Sequence, residues 1–254
     1  MSMEYNIVIP ARMASQRLPG KPLLDIAGRP LIEHVFRQAT LSSARLTVIA
    51  TDDQQIFDAA RNFGAEVVMT APDHTSGSDR IAECADQLAW GDDQVIVNLQ
   101  GDEPLMPPAC LDQVAALLGR DPAADVASLY WPLVSSEEIL NPNVVKVVVG
   151  EGGDALYFSR SVVPFPRSSG SLDAALHAGF SWQRHVGLYA YRAQALRKFS
   201  TAQPTPLESA EKLEQLRFLE TGKKIRMAQS CCLIPAGVDT GGDLERIRAI
   251  IEDA

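Results

Sequence analysis

The chain is poor in the residues that build covalent staples, metal centres and membrane anchors. It has four cysteines, Cys84, Cys110, Cys231 and Cys232, and no pair has C-x-x-C spacing. Adjacent cysteines do not readily bridge, and in a strand Cys231 and Cys232 would face opposite sides, so buried thiols in a reduced compartment are expected. His34, His74, His177 and His185 have no metal-ligand spacing, and neither H-E-x-x-H nor G-x-S-x-G occurs. Hydrolytic zinc chemistry and a nucleophile-elbow serine therefore have little support. No apolar run reaches the 18 or so residues of a spanning helix. The opening MSMEYNIVIP lacks a basic region followed by a long apolar one, so no signal peptide is expected there and the protein reads as cytoplasmic, without stable membrane association. Basic charge is also short. A formal charge of -9 argues against a nucleic-acid binder, because counterion release needs a basic surface. It leaves a small anionic ligand open, since inside a cleft only the local charge counts.

What is present is an ordinary apolar fraction of 46%, arranged as strands that alternate with helices. Apolar runs at 5–9, 45–50, 66–69, 94–99 and 125–130 read as strands, and helical periodicity appears at 31–39, 54–62, about 79–88 and 108–118. This alternation predicts an α/β fold, a doubly wound and mostly parallel sheet covered on both faces. After residue 130 the texture changes to short strands at 144–149, 155–159 and 185–191, with a Gly-, Ser- and Pro-rich segment before the last, read as a surface segment that is mobile or ordered by a partner subunit. A helix over 207–220, a strand near 225–229 and a helix over 243–252 close the pattern. We expect one domain over 1–254, with an antiparallel excursion over roughly 131–192 that serves as a lid or dimerisation element.

Ligands of open parallel sheets sit beyond the carboxyl ends of the strands, near a switch in strand order. Three polar segments fall at such ends: ARMASQRLPGK after the first strand, TDD after the second and QGDEP after the fourth. The first contains neither G-x-G-x-x-G nor Walker A spacing, yet it carries Arg12, Arg17 and Lys21 on a loop turned by Gly20 and stiffened by Pro19 and Pro22. Fixed positive charge of this kind suits a phosphate chain. Asp102, between Gly101 and Pro104, is placed as a magnesium ligand, the bland alternative being that it or Glu103 caps the next helix. Asp239, in AGVDTGGDLERI, is a second candidate, and spacing alone leaves open whether Asp239 or Thr240 merely starts the last helix. Gly237, Gly241 and Gly242 would let that loop approach the cleft. Ser76, Gly77 and Arg80 open a helix that can present N–H groups to an anion. His185 and Tyr189, four apart in a strand, share a face.

Taken together, IPARMASQRLPGKPL, ATDD, DHTSGSDR, VNLQGDEP, NPNVVKVV, ALYFSR, RHVGLYAY, PLESAEKLEQLR and GVDTGGDLERI resemble the 3-deoxy-manno-octulosonate (Kdo) cytidylyltransferases along the whole chain. Departures from the family pattern are mild: Gln16, Ser78-Asp79 and the GG of GVDTGGDLE. The resemblance implies a nucleotidyltransferase-like fold and transfer of a cytidylyl group from CTP to the anomeric hydroxyl of Kdo, giving CMP-Kdo and pyrophosphate for lipopolysaccharide assembly. It also implies a homodimer. Carried over by motif, Arg12, Arg17 and Lys21 would hold the triphosphate, with Ala11 near cytosine and Ser76, Gly77 and the ATDD region enclosing the nucleotide. Gln100 and Arg80 would lie between the two substrates. Arg160, His185, Tyr189, Glu214 and Gln215 would contact Kdo, and Asp102 and Asp239 would bind Mg2+. Either Arg80 or Arg160 would pair with the sugar carboxylate. Related sugar acids, 8-amino-Kdo or an acylneuraminate, are the alternative acceptors.

Overall fold

The computed structural model describes residues 4–14, 18–74 and 76–253, so Arg17 lies outside the described residues. In chain order the elements are β1 (Tyr5–Ala11), β2 (Asp25–Ile26), β3 (Arg29–Pro30), α1 (Leu31–Thr40), β4 (Leu46–Thr51), α2 (Gln54–Asn62), β5 (Glu66–Met69), α3 (Gly77–Gln87) and β6 (Val95–Asn98). There follow α4 (Pro108–Gly119), β7 (Val126–Leu133), α5 (Ser136–Leu140), β8 (Lys146–Val149), β9 (Ala155–Ser159), α6 (Leu172–His177) and β10 (Trp182–Arg192). The chain ends with α7 (Ala193–Thr201), α8 (Pro206–Glu211), α9 (Gln215–Glu220), β11 (Ile225–Gln229) and α10 (Gly241–Glu252).

The main sheet has the order β11-β7-β10-β6-β1-β4-β5. Along this path only β10 runs against its neighbours, pairing antiparallel with both β6 and β7. The hairpin β8–β9 extends the sheet from Gln183 and Arg184 of β10. The α/β, mostly parallel architecture expected from the sequence is therefore present, with an antiparallel addition. The run at 5–9 is apolar apart from Asn6 because both its faces are covered. Ile7 and Ile9 pack with α1, α2 and α4, whereas Val8 packs on the other face with α3, α7 and α9. The chain leaves β1 toward β4 and β5, then returns to β6 on the opposite side of β1. That reversal opens a crevice beyond the carboxyl ends of β1 and β6.

Several local expectations need correction. The segment 207–220 is not one helix: Lys212, at φ 54°, takes the left-handed conformation and splits it into α8 and α9. Sequence patterning shows no glycine there. The break is imposed from outside the helix, because Arg217 of α9 folds back on Glu208 of α8, Nε to Oε2 at 2.7 Å and Nη2 to Oε1 at 2.5 Å. The Gly-, Ser- and Pro-rich segment contains α6, whose Ala175 is buried against Leu133, Ile139 and Trp182. Cys84 and Cys110 are buried as expected, but Cys231 is exposed and Cys232 half-buried. The last two follow β11 in a bend rather than lying in a strand, so strand alternation does not separate them.

Arg217 and Glu208 are both nearly buried, and Arg217 also donates to the carbonyls of Phe199 and Ala202 and stacks over the Phe199 ring. Burial alone would raise the Glu208 carboxyl, but the bonds from Arg217 and Thr205 outweigh it and hold it below the usual range. A depressed carboxylate adds stability that is present above its unfolded value and lost as pH falls through the folded one. Replacing Arg217 by Leu should cost about 3–5 kcal/mol at neutral pH by leaving a buried carboxylate unpaired. Urea unfolding checks this, and the deficit should shrink as the pH is lowered below the carboxylate range.

Candidate active site

The crevice is a cleft of about 720 Å³ lined by the loop after β1, the loop after β6, the start of α3 and the segment before α10. At its centre is Lys21. Gly20, with φ 66°, turns the chain so that Lys21 begins a short 3-10 turn with Pro22 behind it. The Lys21 ammonium donates to Asp102 Oδ2 at 2.7 Å, to the Val238 carbonyl at 2.8 Å and to Asp239 Oδ1 at 3.2 Å. The two acids singled out in the sequence thus converge on one cation. Neither is a helix cap: Pro107 is the N-cap of α4, with no side-chain cap bond, and the capping box of α10 is made by Thr240 and Asp243.

Backbone contact fixes this convergence. Val238 N donates to Asp102 O at 2.8 Å, and a Cβ at Gly237 would lie 2.7 Å from the same oxygen. Only glycine permits that approach. Gly241 and Gly242 have no such constraint and simply begin α10. Beside the acid pair, Glu103 is pushed up to about 7 by burial and then by the charges of Asp102 and Asp239, with Arg184 opposing. Two carboxylates and a carbonyl meeting at one point form a hard oxygen donor set, and these residues fit magnesium.

The opposite wall is built around Arg80. It is 3% exposed, donates to Asp52 Oδ2 at 2.8 Å and bonds to the Thr70 hydroxyl. Asp52 of the TDD segment therefore positions Arg80, while Asp53 caps α2 through its bonds to Gln55 N and Ile56 N. Ser76 caps α3, accepting from Asp79 N at 3.1 Å, and Gly77 packs beside Pro10. Ala11, Arg12 and Gln100 complete the lining. His74 also lines the cleft, its Nε2 bonded to Glu83. His74, Thr70 and Glu103 were not singled out from the sequence. The DHTSGSDR motif contains the first, but isolated histidines carry little signal, and the pairing with Glu83 exists only once α3 is folded.

Of the residues expected to contact Kdo, Arg80 and Gln100 line this cleft, whereas Arg160, His185, Tyr189, Glu214 and Gln215 do not. Glu214 accepts from Ser78 Oγ at 3.0 Å, and burial raises its carboxyl above the usual range. His185 and Tyr189 touch, with ring centroids 5.2 Å apart, where four residues of regular strand span about 13 Å. The cause is a bulge between Val186 and Tyr189, held by Ser128 Oγ, which donates to the carbonyls of Val186 and Leu188 and meets His185 Nε2 at 3.1 Å. Tyr189 lies opposite Asn98 at the end of β6, which places this group next to Gln100. Gln215 is buried at the start of α9. Arg160 donates to the carbonyls of Glu211 (2.7 Å) and Pro142 (3.0 Å).

A family model described as Cytidylyltransferase matches residues 6–225. The 3-deoxy-manno-octulosonate cytidylyltransferase of Saccharophagus degradans is 50% identical over 255 residues, covering 99% of this chain and 100% of its own. That of Halorhodospira halophila is 51% identical over 245 residues, covering 96% and 95%. A solved structure of CMP:2-keto-3-deoxy-manno-octonic acid synthetase complexed with CTP superposes with a TM-score of 0.89 at 40% identity over 99% of each chain. A nucleotidyl transferase from Methanothermobacter thermautotroptrophicus, at 16% identity and a TM-score of 0.63 over 98% of each chain, shares the fold alone. By full-length similarity the chain belongs to the 3-deoxy-manno-octulosonate cytidylyltransferase family.

Proposed function

We propose that this chain transfers the cytidylyl group of CTP to the anomeric hydroxyl of Kdo, releasing pyrophosphate and supplying CMP-Kdo for lipopolysaccharide synthesis. The observation that carries the reading is the meeting of Lys21, Asp102 and Asp239 in the cleft between β1 and β6. Arg12 and Lys21, with Arg17 of the same loop, hold the triphosphate. Arg80 is already fixed by Asp52 and Thr70, so its charge need not reorganise as negative charge gathers on the phosphate oxygens. The start of α3 adds the positive end of its dipole. Asp102 and Asp239, with the Val238 carbonyl beside them, would hold Mg2+, which when bound supplies Lewis-acid stabilisation of phosphate oxygens. His185, Tyr189, Glu214, Gln215 and Arg160 position the sugar acid on the far side of Gln100. No covalent enzyme intermediate is needed, in keeping with the absence of a nucleophile motif.

Leu156, Phe165 and Val134 in and around the antiparallel addition are 63%, 81% and 80% exposed, which supports a homodimer formed through this part of the chain. A cytoplasmic setting, where the thiols stay reduced, goes with the same reading.

Pyrophosphate release on mixing the enzyme with CTP, magnesium and Kdo tests the function directly; preference for an acylneuraminate or 8-amino-Kdo in the same assay would move the acceptor. Asp102→Asn and Asp239→Asn should each fold yet lose about a hundredfold or more in kcat, and parental kcat/KM in saturating magnesium would remove the acid pair from the mechanism. Lys21→Ala should raise the KM for CTP, with a combined loss of roughly 2–5 kcal/mol in transition-state stabilisation. Gly237→Ala forces Asp102 and Val238 apart and should lower turnover at least tenfold while circular dichroism stays parental; unchanged kinetics would show that the close approach is incidental.

A further inference from the structure

Outside the cleft, three of the four cysteines meet although they come from distant parts of the chain. Cys110 Sγ, on the first turn of α4, lies 3.4 Å from Cys232 Sγ and 3.7 Å from Cys231 Sγ, and all three sulfurs are within 4.8 Å of one another. Thiolates at a Zn–S distance of about 2.3 Å mark the corners of a tetrahedron with edges of about 3.8 Å. The sulfurs are thus close to ligating positions before any ion arrives.

Hydrogen bonds to other groups hold them there. Gln113, one turn beyond Cys110, accepts from Cys231 N at 2.8 Å and donates to Gln229 O at 2.7 Å, fastening the bend to α4 from both sides. Ser230 N donates to Tyr130 O at 2.9 Å, and the Ser230 hydroxyl donates to Cys232 O at 2.7 Å while lying 3.3 Å from Cys110 Sγ. The cluster is graded in depth, with Cys110 buried at its floor, Cys232 half-buried and Cys231 exposed at its mouth. An ion would have a way in. Simple packing of thiols accounts for the buried Cys110 and for the half-buried Cys232, which packs against the same core, but not for the sulfur of the exposed Cys231, which turns toward both.

We propose that Cys110, Cys231 and Cys232 form a binding site for one thiophilic cation of the zinc class, with water in the fourth position. Binding converts three thiols to thiolates and releases three protons, so the affinity rises with pH. Soft sulfur donors separate this site from the hard oxygen pair at Asp102 and Asp239. The ion would also fasten the start of α4 to the segment that runs from Cys232 to Asp239, both of which lead to the acid pair.

The test is titration of the full-length, reduced protein with Zn2+ in excess Mg2+, followed by removal of loose metal and metal analysis. One equivalent should remain. Cys110→Ser and Cys232→Ser should abolish retention, the exposed Cys231→Ser should weaken it at least tenfold without disturbing the fold, and Asp102→Asn should leave it parental. Co2+ in place of Zn2+ should give sulfur-to-cobalt charge-transfer absorption in the parent and lose it in Cys231→Ser. Zinc should raise the melting temperature of the parent but not of Cys232→Ser. Absence of retained zinc in the reduced parent, undiminished retention in Cys231→Ser, or a cobalt spectrum without sulfur character would each overturn the proposal.

Discussion

One ammonium group joins three parts of this fold that are far apart in the chain. Lys21 reaches from the loop after β1 to Asp102 after β6 and to Val238 and Asp239 before α10. Like charges 4 Å apart at an effective dielectric near 20 repel by about 4 kcal/mol, so two carboxylates drawn to one point need a cation between them. Lys21 is that cation, with 14% of its side chain exposed. The glycine at 237 lets the two acidic loops touch through their backbones, which makes the charge arrangement a property of the fold and not of side-chain rotamers alone.

The second organising element is α3, which serves both halves of the site. Gly77 and Arg80 face the cleft, Ser78 reaches Glu214 in the other group, and Ile81, Ala82 and Ala85 enter the core. The helix is therefore pinned by packing at the positions that set its rotation about its axis. Asp52 and Thr70 then fix the Arg80 guanidinium from the two neighbouring strand ends. Guanidinium geometry matters here, because a lysine could not bond both partners from fixed planar positions. The split of 207–220 has a consequence at the same place. By ending α8 at Glu211 and starting α9 at Gln215, it brings Glu214 to the Ser78 hydroxyl.

Much of this was legible in the sequence where a local rule operated alone. Both-face burial marked β1, and polar segments at strand ends marked Arg12, Lys21 and Asp102. Where two rules competed, the sequence was silent. Lys212 adopts positive φ because Arg217 must return to Glu208, a constraint invisible to helix periodicity. Asp239 and Thr240 could not be told apart by spacing, yet one faces Lys21 and the other caps α10. His185 and Tyr189 share a face as alternation predicts, but their contact depends on a bulge fixed by Ser128, a residue of a different strand. Strand alternation misled most at Cys231 and Cys232, because the strand ends at Gln229 before reaching them.

The charge arrangement bears directly on the proposed role of magnesium. Lys21 lies between Asp102 and Asp239, and the Glu103 carboxyl beside them is pushed up to about 7 by burial and by those two charges, with Arg184 opposing. A nucleoside triphosphate brings several further negative charges to the same cleft. Among the described residues Arg12, Lys21 and Arg80 line the cleft, and Arg80 is already paired with Asp52. Lys21 cannot fully neutralise the acid pair and the phosphates at once. A cleft that kept two carboxylates beside a phosphate chain with no further cation would repel its own substrate. On the proposed function, a multivalent cation entering with the nucleotide would offset that repulsion, and the oxygen donors at Asp102, Val238 and Asp239 would hold it.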